Sequence, residues 1–160
     1  MGIRVPRGDQ DMVLLWQQRK LTDLFDDVYG YALFSDDCVS SLGMAANRLS
    51  TVKTGDVYTN QDAYRYLAVE WSEWDNFGFF DDVNAILAEM ETEDSSWESV
   101  NVILRLCLDV LCELESEGVF GPRTDERFIA ICLSDSDKEI MNESVRRLNT
   151  PRISEAYQRL

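Results

Sequence analysis

Carboxylates are the most abundant side chains in this sequence that could take part in catalysis or metal binding. The sequence contains 30 Asp and Glu residues, 15 Lys and Arg residues and no histidine. Pairs such as Glu70 with Glu73 and Asp81 with Asp82 contain the residue types that a glycosidase or a metal-dependent hydrolase uses. So many acids produce such pairs by chance, and no GxSxG turn or glycine-rich phosphate loop accompanies them. Without an imidazole there is also no Ser-His-Asp or Cys-His relay. The sequence therefore predicts a protein that is not an enzyme and that holds no cofactor.

The run from Asp135 to Glu139 has the alternating acids of a calcium-binding loop. An EF-hand loop needs glycine at its sixth position and an acid at its twelfth. Ile140 and Arg146 occupy those positions. We therefore interpret the run as the N-terminal cap of a helix and predict no metal site.

Two tryptophans, Trp71 and Trp74, alternate with acidic residues. Tryptophan is enriched among the residues that dominate protein–protein binding energy, but it is also a common core residue. The spacing fits two core aromatics, or one buried indole and one indole that faces a partner. We predict a partner-binding surface that consists of this segment and the acids after it: Glu70, Trp71, Glu73, Trp74, Asp75, Asp81 and Asp82.

The negative charge is concentrated in one part of the chain. Residues 70–117 contain fourteen acids and one base, Arg105, which gives them a net charge of −13. Residues 1–69 have a net charge of −2, and residues 118–160 have a net charge of zero. Such a segment is either a solvated surface or a docking face for a basic protein, since clustered charge speeds encounter with an opposite partner. Direct nucleic-acid binding is disfavoured, because phosphate recognition needs a density of Lys and Arg that is absent here.

The sequence shows neither a secretory leader nor an apolar run of the roughly 18–20 residues that cross a bilayer. Its four cysteines form no CxxC pair, and three of them lie within apolar stretches, where free thiols are common. We therefore expect a cytoplasmic protein without a membrane partner. We further expect a flexible tail at residues 1–10 and a single domain at residues 11–160, a usual length for one domain.

Hydrophobic periodicity predicts an α+β fold. The expected strands are the two strands of a hairpin, Tyr29–Phe34 and Cys38–Ala46, and a later strand near 127–133. The expected helices run from Asp11 to Asp27, where Gly30 ends the helix, from Gln61 to Val69, from Phe80 onward, near 97–117, and from Lys138 to Leu148. We expect the hairpin and the later strand to form a small antiparallel sheet that packs against about five helices.

The helix near 97–117 is expected to be buried at the centre of the fold. Its polar positions Asn101, Arg105, Asp109 and Glu113 recur every four residues and form one narrow stripe, while the positions between them are apolar. A helix that is apolar around most of its circumference packs on most sides.

Several of these segments resemble a known family. They are the Tyr-Ala-Leu-Phe hairpin, the Trp71-Ser72-Glu73-Trp74 segment, the helix from Phe80 to Leu87 and the closing Ser144–Asn149 stretch. From about Asp11 to Pro151 the chain resembles a bacterial family catalogued as domain of unknown function number four-three-zero-three. Members of that family occur beside polymorphic toxins, so the resemblance implies an immunity protein. It implies no catalytic residues.

Charge and resemblance together favour a protein that binds and neutralises a cognate, basic interbacterial toxin domain through an acidic surface. The alternative is a non-catalytic cytoplasmic interaction or regulatory domain with no toxin partner. The adjacent upstream gene distinguishes the two, because a large secreted protein with a variable C-terminal domain would favour immunity. An operon of metabolic genes would favour the alternative.

Overall fold

Four strands form a mixed sheet in this structure, a computed structural model that describes residues 27–53, 61–71, 73–74, 80–91, 97–134 and 138–160. The strands are β1 (Val28–Ser35), β2 (Leu42–Arg48), β3 (Glu73–Trp74) and β4 (Phe128–Leu133). Their order across the sheet is β3-β2-β1-β4. The β1–β2 and β2–β3 pairs are antiparallel, whereas β4 runs parallel to β1.

The predicted α+β class is confirmed, but the prediction of an antiparallel sheet is wrong for β4. This strand pairs with β1 in parallel, from Gly30 opposite Phe128 to Ser35 opposite Leu133. Parallel neighbours need a long connection, and the chain between β1 and β4 supplies one that contains β2, β3 and several helices. All six residues of β4 are buried, which is typical of a parallel strand covered on both faces.

Helices occupy most of the remaining described chain. They are α1 (Leu49–Lys53), α2 (Gln61–Tyr66), α3 (Asp81–Glu91), α4 (Trp97–Ser116), α5 (Lys138–Leu148) and α6 (Pro151–Tyr157), with a 3-10 turn (Ala68–Glu70) after α2. None of these helices is both long and apolar enough to cross a membrane. The helices predicted near residues 61, 80, 97 and 138 are confirmed, although the first of them gives way to the 3-10 turn.

Two predictions concern the beginning of the chain. The tail at residues 1–10 and the helix from Asp11 to Asp27 lie outside the described residues, except for Asp27 itself. Gly30 does not end a helix as predicted, because it lies inside β1. The pairing of β1 with β2 is irregular between Val28 and Gly30.

The core on one face of the sheet is supplied by α4, as predicted. Leu104, Leu108 and Leu114 are at most 2% exposed, and they belong to one apolar cluster with Ile129 and Ile131 of β4. Helical spacing places these leucines on one side of α4, and that side faces the sheet.

The exposed side of α4 is wider than the predicted polar stripe. Val102 and Leu106 are 47% and 38% exposed, so the exposed side contains two apolar residues besides Asn101 and Arg105. Nine of the fifteen positions from Val100 to Leu114 are buried or partly buried, so α4 packs over more than half of its circumference.

The opposite face of the sheet is covered mainly by aromatic residues. The buried ring of Phe128 lies 5.1 Å from Tyr66, 5.9 Å from Trp71 and 6.0 Å from Tyr157, measured between ring centroids. Ile153 of α6 joins the same cluster. The sheet is thus packed on both faces, with α4 on one side and α2, the 3-10 turn and α6 on the other.

Side chains near the end of α5 close the free edge of β4. The amide oxygen of Asn149 accepts from the backbone N–H of Ile129 at 2.8 Å, and its amide nitrogen donates to the carbonyl of Ile129 at 2.6 Å. The hydroxyl of Ser144 accepts from the N–H of Ile131 at 2.9 Å. These bonds satisfy backbone groups that an edge strand would otherwise leave open to another strand.

Candidate partner-binding surface

The 3-10 turn places Glu70 and Trp71 in opposite environments. The backbone N–H of Trp71 donates to the carbonyl of Ala68 at 3.1 Å, which closes the turn. Glu70 is exposed, whereas Trp71 is only 3% exposed. Trp71 is therefore a core residue, and its side chain does not belong to the surface.

Trp71 packs directly on the backbone of β1 at Gly30. A β-carbon built on Gly30 would lie 2.8 Å from Cη2 of the indole, closer than carbon atoms approach without a bond. The rings of Tyr29 and Phe128 meet the same indole edge to face, at 6.3 and 5.9 Å. The absence of a side chain at Gly30 thus lets Trp71 fasten the turn to the sheet.

Three residues beyond the end of the turn, the chain forms β3 at the edge of the sheet. Glu73 pairs with Ala46 and Trp74 with Ala45, both in β2. The side chains of Glu73 and Trp74, and the whole of Asp75, lie outside the described residues. The backbone nevertheless places two predicted positions on the outer side of β2.

The acids Asp81 and Asp82 are exposed in the first turn of α3, where the helix dipole favours negative charge. Asn84 fastens this helix to the sheet, because its Oδ1 accepts from the backbone N–H of Leu42 at 2.7 Å and its Nδ2 donates to the carbonyl of Leu42 at 3.1 Å. Both polar groups of Leu42 therefore face away from β1 and toward α3.

The outer side of β2 brings the predicted segments together. Asn84 of α3 binds at Leu42, and β3 pairs at Ala45 and Ala46, which are three to four residues further along the strand. At about 3.3 Å per residue, the two attachments are roughly 10–13 Å apart. We call Glu70, Glu73, Trp74, Asp81 and Asp82 the acidic edge.

Two of the four acids of α4 have arginine partners. Asp109 accepts from Arg147 of α5 at 3.1 Å. Glu115 accepts from Arg123 at 2.5 Å and from Arg127 at 2.8 Å. The negative charge that the sequence spreads over residues 70–117 is thus partly neutralised in α4. The sequence of α3 itself contains four acids and no Lys or Arg.

The Glu115 ion pairs hold the structure together and were not anticipated from the sequence. Hydrogen bonds from Arg123 and Arg127 lower the pKa of Glu115 to about 2. Arg127 is 6% exposed and also donates to the carbonyls of Gly121 and Leu148, at 2.7 and 3.0 Å. A buried guanidinium that binds three acceptors from separate elements stabilises the fold. In the sequence, the only indication of the buried Arg127 and its acceptors was an arginine directly before an apolar strand.

The acidic edge can bind a partner through charge and through apolar contact. Within the described ranges, no three Cys, Asp or Glu side chains are arranged to hold a metal ion. Cys132 is buried, and burial raises the pKa of its thiol to about 11. The Asp135–Asp137 run, predicted to cap a helix, lies outside the described residues, and α5 begins directly after it.

One exposed residue near the acidic edge was missed. Ile86 of α3 is 45% exposed. Phe80, Val83 and Leu87 lie on the inward side of this helix, in or against the core. An apolar residue that falls off this inward stripe was the available signal, because such a residue must face outward when the stripe is buried.

Comparison with known proteins identifies the family. The model of the family described as Domain of unknown function (DUF4303) matches residues 19–150, which is most of the chain, and the chain belongs to that family. No curated protein and no solved structure gives a significant match.

Proposed function

We propose that this member of the DUF4303 family is a cytoplasmic immunity protein that binds and neutralises a basic interbacterial toxin domain through its acidic edge. The family is described only as a domain of unknown function. The proposal is supported by the net charge of −15 and by the position of its unbalanced part. No catalytic step is part of it.

The distribution of acidic and basic residues is the observation that carries the proposal. Arginines from α5 and from the loop before β4 bind acids on α4, so that part of the surface has mixed charge. The helix α3 contains four acids and no Lys or Arg, and its first two acids, Asp81 and Asp82, are exposed. A surface with one sign of charge attracts an oppositely charged protein and speeds its association.

Toxin domains that act on nucleic acids need cationic active sites to hold phosphate. An acidic protein can occupy such a site in place of phosphate, or it can cover the entrance and exclude the substrate. Either mode requires contact with the toxin alone, without nucleic acid or membrane. The acidic edge suits both modes, because the exposed carboxylates of Asp81 and Asp82 lie on a helix that Asn84 fastens to β2.

Growth rescue and binding kinetics test this function. The ligand to be tested is the variable C-terminal domain of the large secreted protein that this proposal expects the adjacent upstream gene to encode, which we call the neighbouring domain. Cells that express the neighbouring domain should grow only when this chain is co-expressed, and the purified pair should associate more slowly as salt is raised.

A charge-reversal variant locates the surface. The triple variant Glu70→Lys, Asp81→Lys and Asp82→Lys should slow association and abolish rescue. A matched control, Glu98→Lys, Glu113→Lys and Glu117→Lys, makes the same change in net charge at exposed acids of α4 and the turn after it. The control should retain rescue. Thermal melts must first show that both variants are folded.

Two results would contradict the proposal. If the wild-type chain neither binds nor protects against the neighbouring domain, the immunity function fails, and an interaction domain without a toxin partner becomes the better description. If the wild type protects and both triple variants protect equally, immunity stands but the acidic edge does not carry it.

A further inference from the structure

We infer that Asn84 is a positioning residue of the acidic edge, because its side chain fixes where Asp81 and Asp82 lie relative to the sheet. This inference rests on the proposed function and adds a residue that controls binding without supplying charge. The partner is the same basic protein domain. Asn84 affects its binding only through the placement of α3.

The amide of Asn84 pairs with the backbone of β2 as a residue of a neighbouring strand would. Its Oδ1 accepts from the backbone N–H of Leu42 at 2.7 Å, and its Nδ2 donates to the carbonyl of Leu42 at 3.1 Å. Asn149 makes the same pair of bonds with Ile129 at the β4 edge of the sheet. Such a pair needs one donor and one acceptor on a short side chain, which asparagine supplies. Asn84 therefore attaches α3 to the sheet at one defined backbone position.

The apolar contacts of α3 are less directional than this pair of bonds. Among the side chains of α3 that the structure describes, only Leu87 is buried, and Val83 is half-buried against the same core cluster. Burial of apolar surface is favourable in many orientations, because the hydrophobic effect has no direction. A hydrogen bond weakens steeply as its angle departs from linear, so the two bonds of Asn84 select one orientation of the helix.

Any movement of α3 at Asn84 also moves Asp81 and Asp82, because both acids lie within one turn of it. Asp81 precedes Asn84 by three residues, about 4.5 Å along the helix axis, and both acids are exposed. When the pairing with Leu42 is broken, fewer molecules hold α3 in the docking orientation, and the apparent affinity falls by that fraction. One hydrogen bond of ordinary net strength shifts such an equilibrium by about three- to tenfold.

Two variants that add the same charge separate position from electrostatics. Asn84→Asp keeps the shape of the side chain and an acceptor for the N–H of Leu42, but it loses the donor and places a carboxylate against the Leu42 carbonyl. Ala88→Asp adds one carboxylate at an exposed position one turn further along α3, where no side-chain bond is lost. A basic partner should bind Ala88→Asp at least as tightly as the wild type. Asn84→Asp should bind the neighbouring domain at least about fivefold more weakly, despite its added negative charge.

Asn84→Ala is the second variant, because it removes both bonds and leaves the net charge unchanged. Alanine is favourable in a helix, so α3 should remain formed. The affinity should again fall at least about fivefold, while the salt dependence of association stays that of the wild type, since every carboxylate is retained. In the free variant, hydrogen exchange should be faster at the amide of Leu42, which has lost its acceptor.

Thermal melts and the wild-type control separate this inference from the proposed function. If both variants at position 84 are folded and bind as tightly as the wild type, Asn84 supports only the fold, and the inference is overturned although immunity stands. Failure of both variants to fold would also overturn it, because Asn84 would then be needed by the whole domain. Equal losses for Asn84→Asp and Ala88→Asp would contradict the inference and the basic partner together. If the wild type does not bind at all, the immunity function fails and this inference fails with it.

Discussion

Replacement of Gly30 by alanine tests the contact that holds Trp71 inside the protein. The new β-carbon would lie 2.8 Å from Cη2 and 3.0 Å from Cζ2 of Trp71. Carbon atoms in contact stay about 3.5–4.0 Å apart, so the indole or the strand must move. The indole has little room, because it is 3% exposed and meets the rings of Tyr29 and Phe128.

The magnitude follows from two opposing effects. An extra methyl group forced into a packed core costs about 1–3 kcal/mol. Removal of a glycine from a strand gains about 0.5–1 kcal/mol, because the unfolded chain loses freedom. We expect Gly30→Ala to lower the free energy of unfolding by about 1–2 kcal/mol. In a domain of this size, that change lowers the melting temperature by about 2–8 °C.

Thermal and urea unfolding measure the effect against a matched glycine. Gly43 lies in β2, the strand next to β1, and a β-carbon there meets no atom within 4 Å. Gly43→Ala should therefore leave the melting temperature unchanged or raise it slightly.

A double-mutant cycle identifies the clashing group. Phenylalanine at position 71 lacks the outer indole ring that contains Cη2 and Cζ2. Gly30→Ala should therefore cost less in a Trp71→Phe background than in the wild type, and the two substitutions should be coupled. Equal melting temperatures for Gly30→Ala and Gly43→Ala, or an equal cost of Gly30→Ala in both backgrounds, would refute the packing described for Trp71.

Three further predictions concern the core, the β4 edge and acid stability. Leu104→Ala should lower the free energy of unfolding in urea by about 2–5 kcal/mol, whereas Leu106→Ala, at an exposed position, should cost less than about 1 kcal/mol; equal costs would contradict the placement of α4. Asn149→Ala should cost at least about 2 kcal/mol, because it leaves the buried N–H and C=O of Ile129 without partners, and a neutral effect would contradict that bonding. The pKa of Glu115 falls from 4.5 to about 2 on folding, so its ion pairs stabilise the protein above pH 4.5 and are lost as the pH falls toward 2. Glu115→Gln should remove about 2 kcal/mol of that pH dependence, and an unchanged acid profile would show that the ion pairs contribute nothing.

Local periodicity was sufficient to predict most elements of the fold. The apolar spacing in α4 identified Leu104 and Leu108 as core, and both are at most 1% exposed. The apolar strand near 127–133 and the helix from Lys138 to Leu148 were placed to within one residue. These elements could be predicted because burial of one face imposes a spacing that is visible in the sequence.

Features set by tertiary contacts were not predictable in the same way. The direction of β4 depends on the path of the connection rather than on the strand's own residues. Gly30 was interpreted as the end of a helix, because the sequence contains no sign that Trp71, forty-one residues later, packs on it. The helix α6 was not predicted. Pro151, which directly follows the capping residue Thr150, is the first residue of this helix.

The candidate surface was predicted in part. Glu70, Asp81 and Asp82 are exposed as a docking surface requires, whereas Trp71 is a core residue. Charge counted along the sequence did not show that arginines bind Asp109 and Glu115, because those arginines come from distant positions. Ile86 could have been predicted to face outward, because it falls off the inward apolar stripe of α3, but its role on the surface depends on neighbours that the sequence does not show.

Hydrogen exchange of the bound complex tests the central claim most directly. The amide exchange of this chain would be measured alone and with the neighbouring domain. Binding at the acidic edge predicts slower exchange in α3 and β3, with α4 and the β1–β2 turn unchanged. Slower exchange in α4 or in that turn, while α3 remains as in the free protein, would contradict the account.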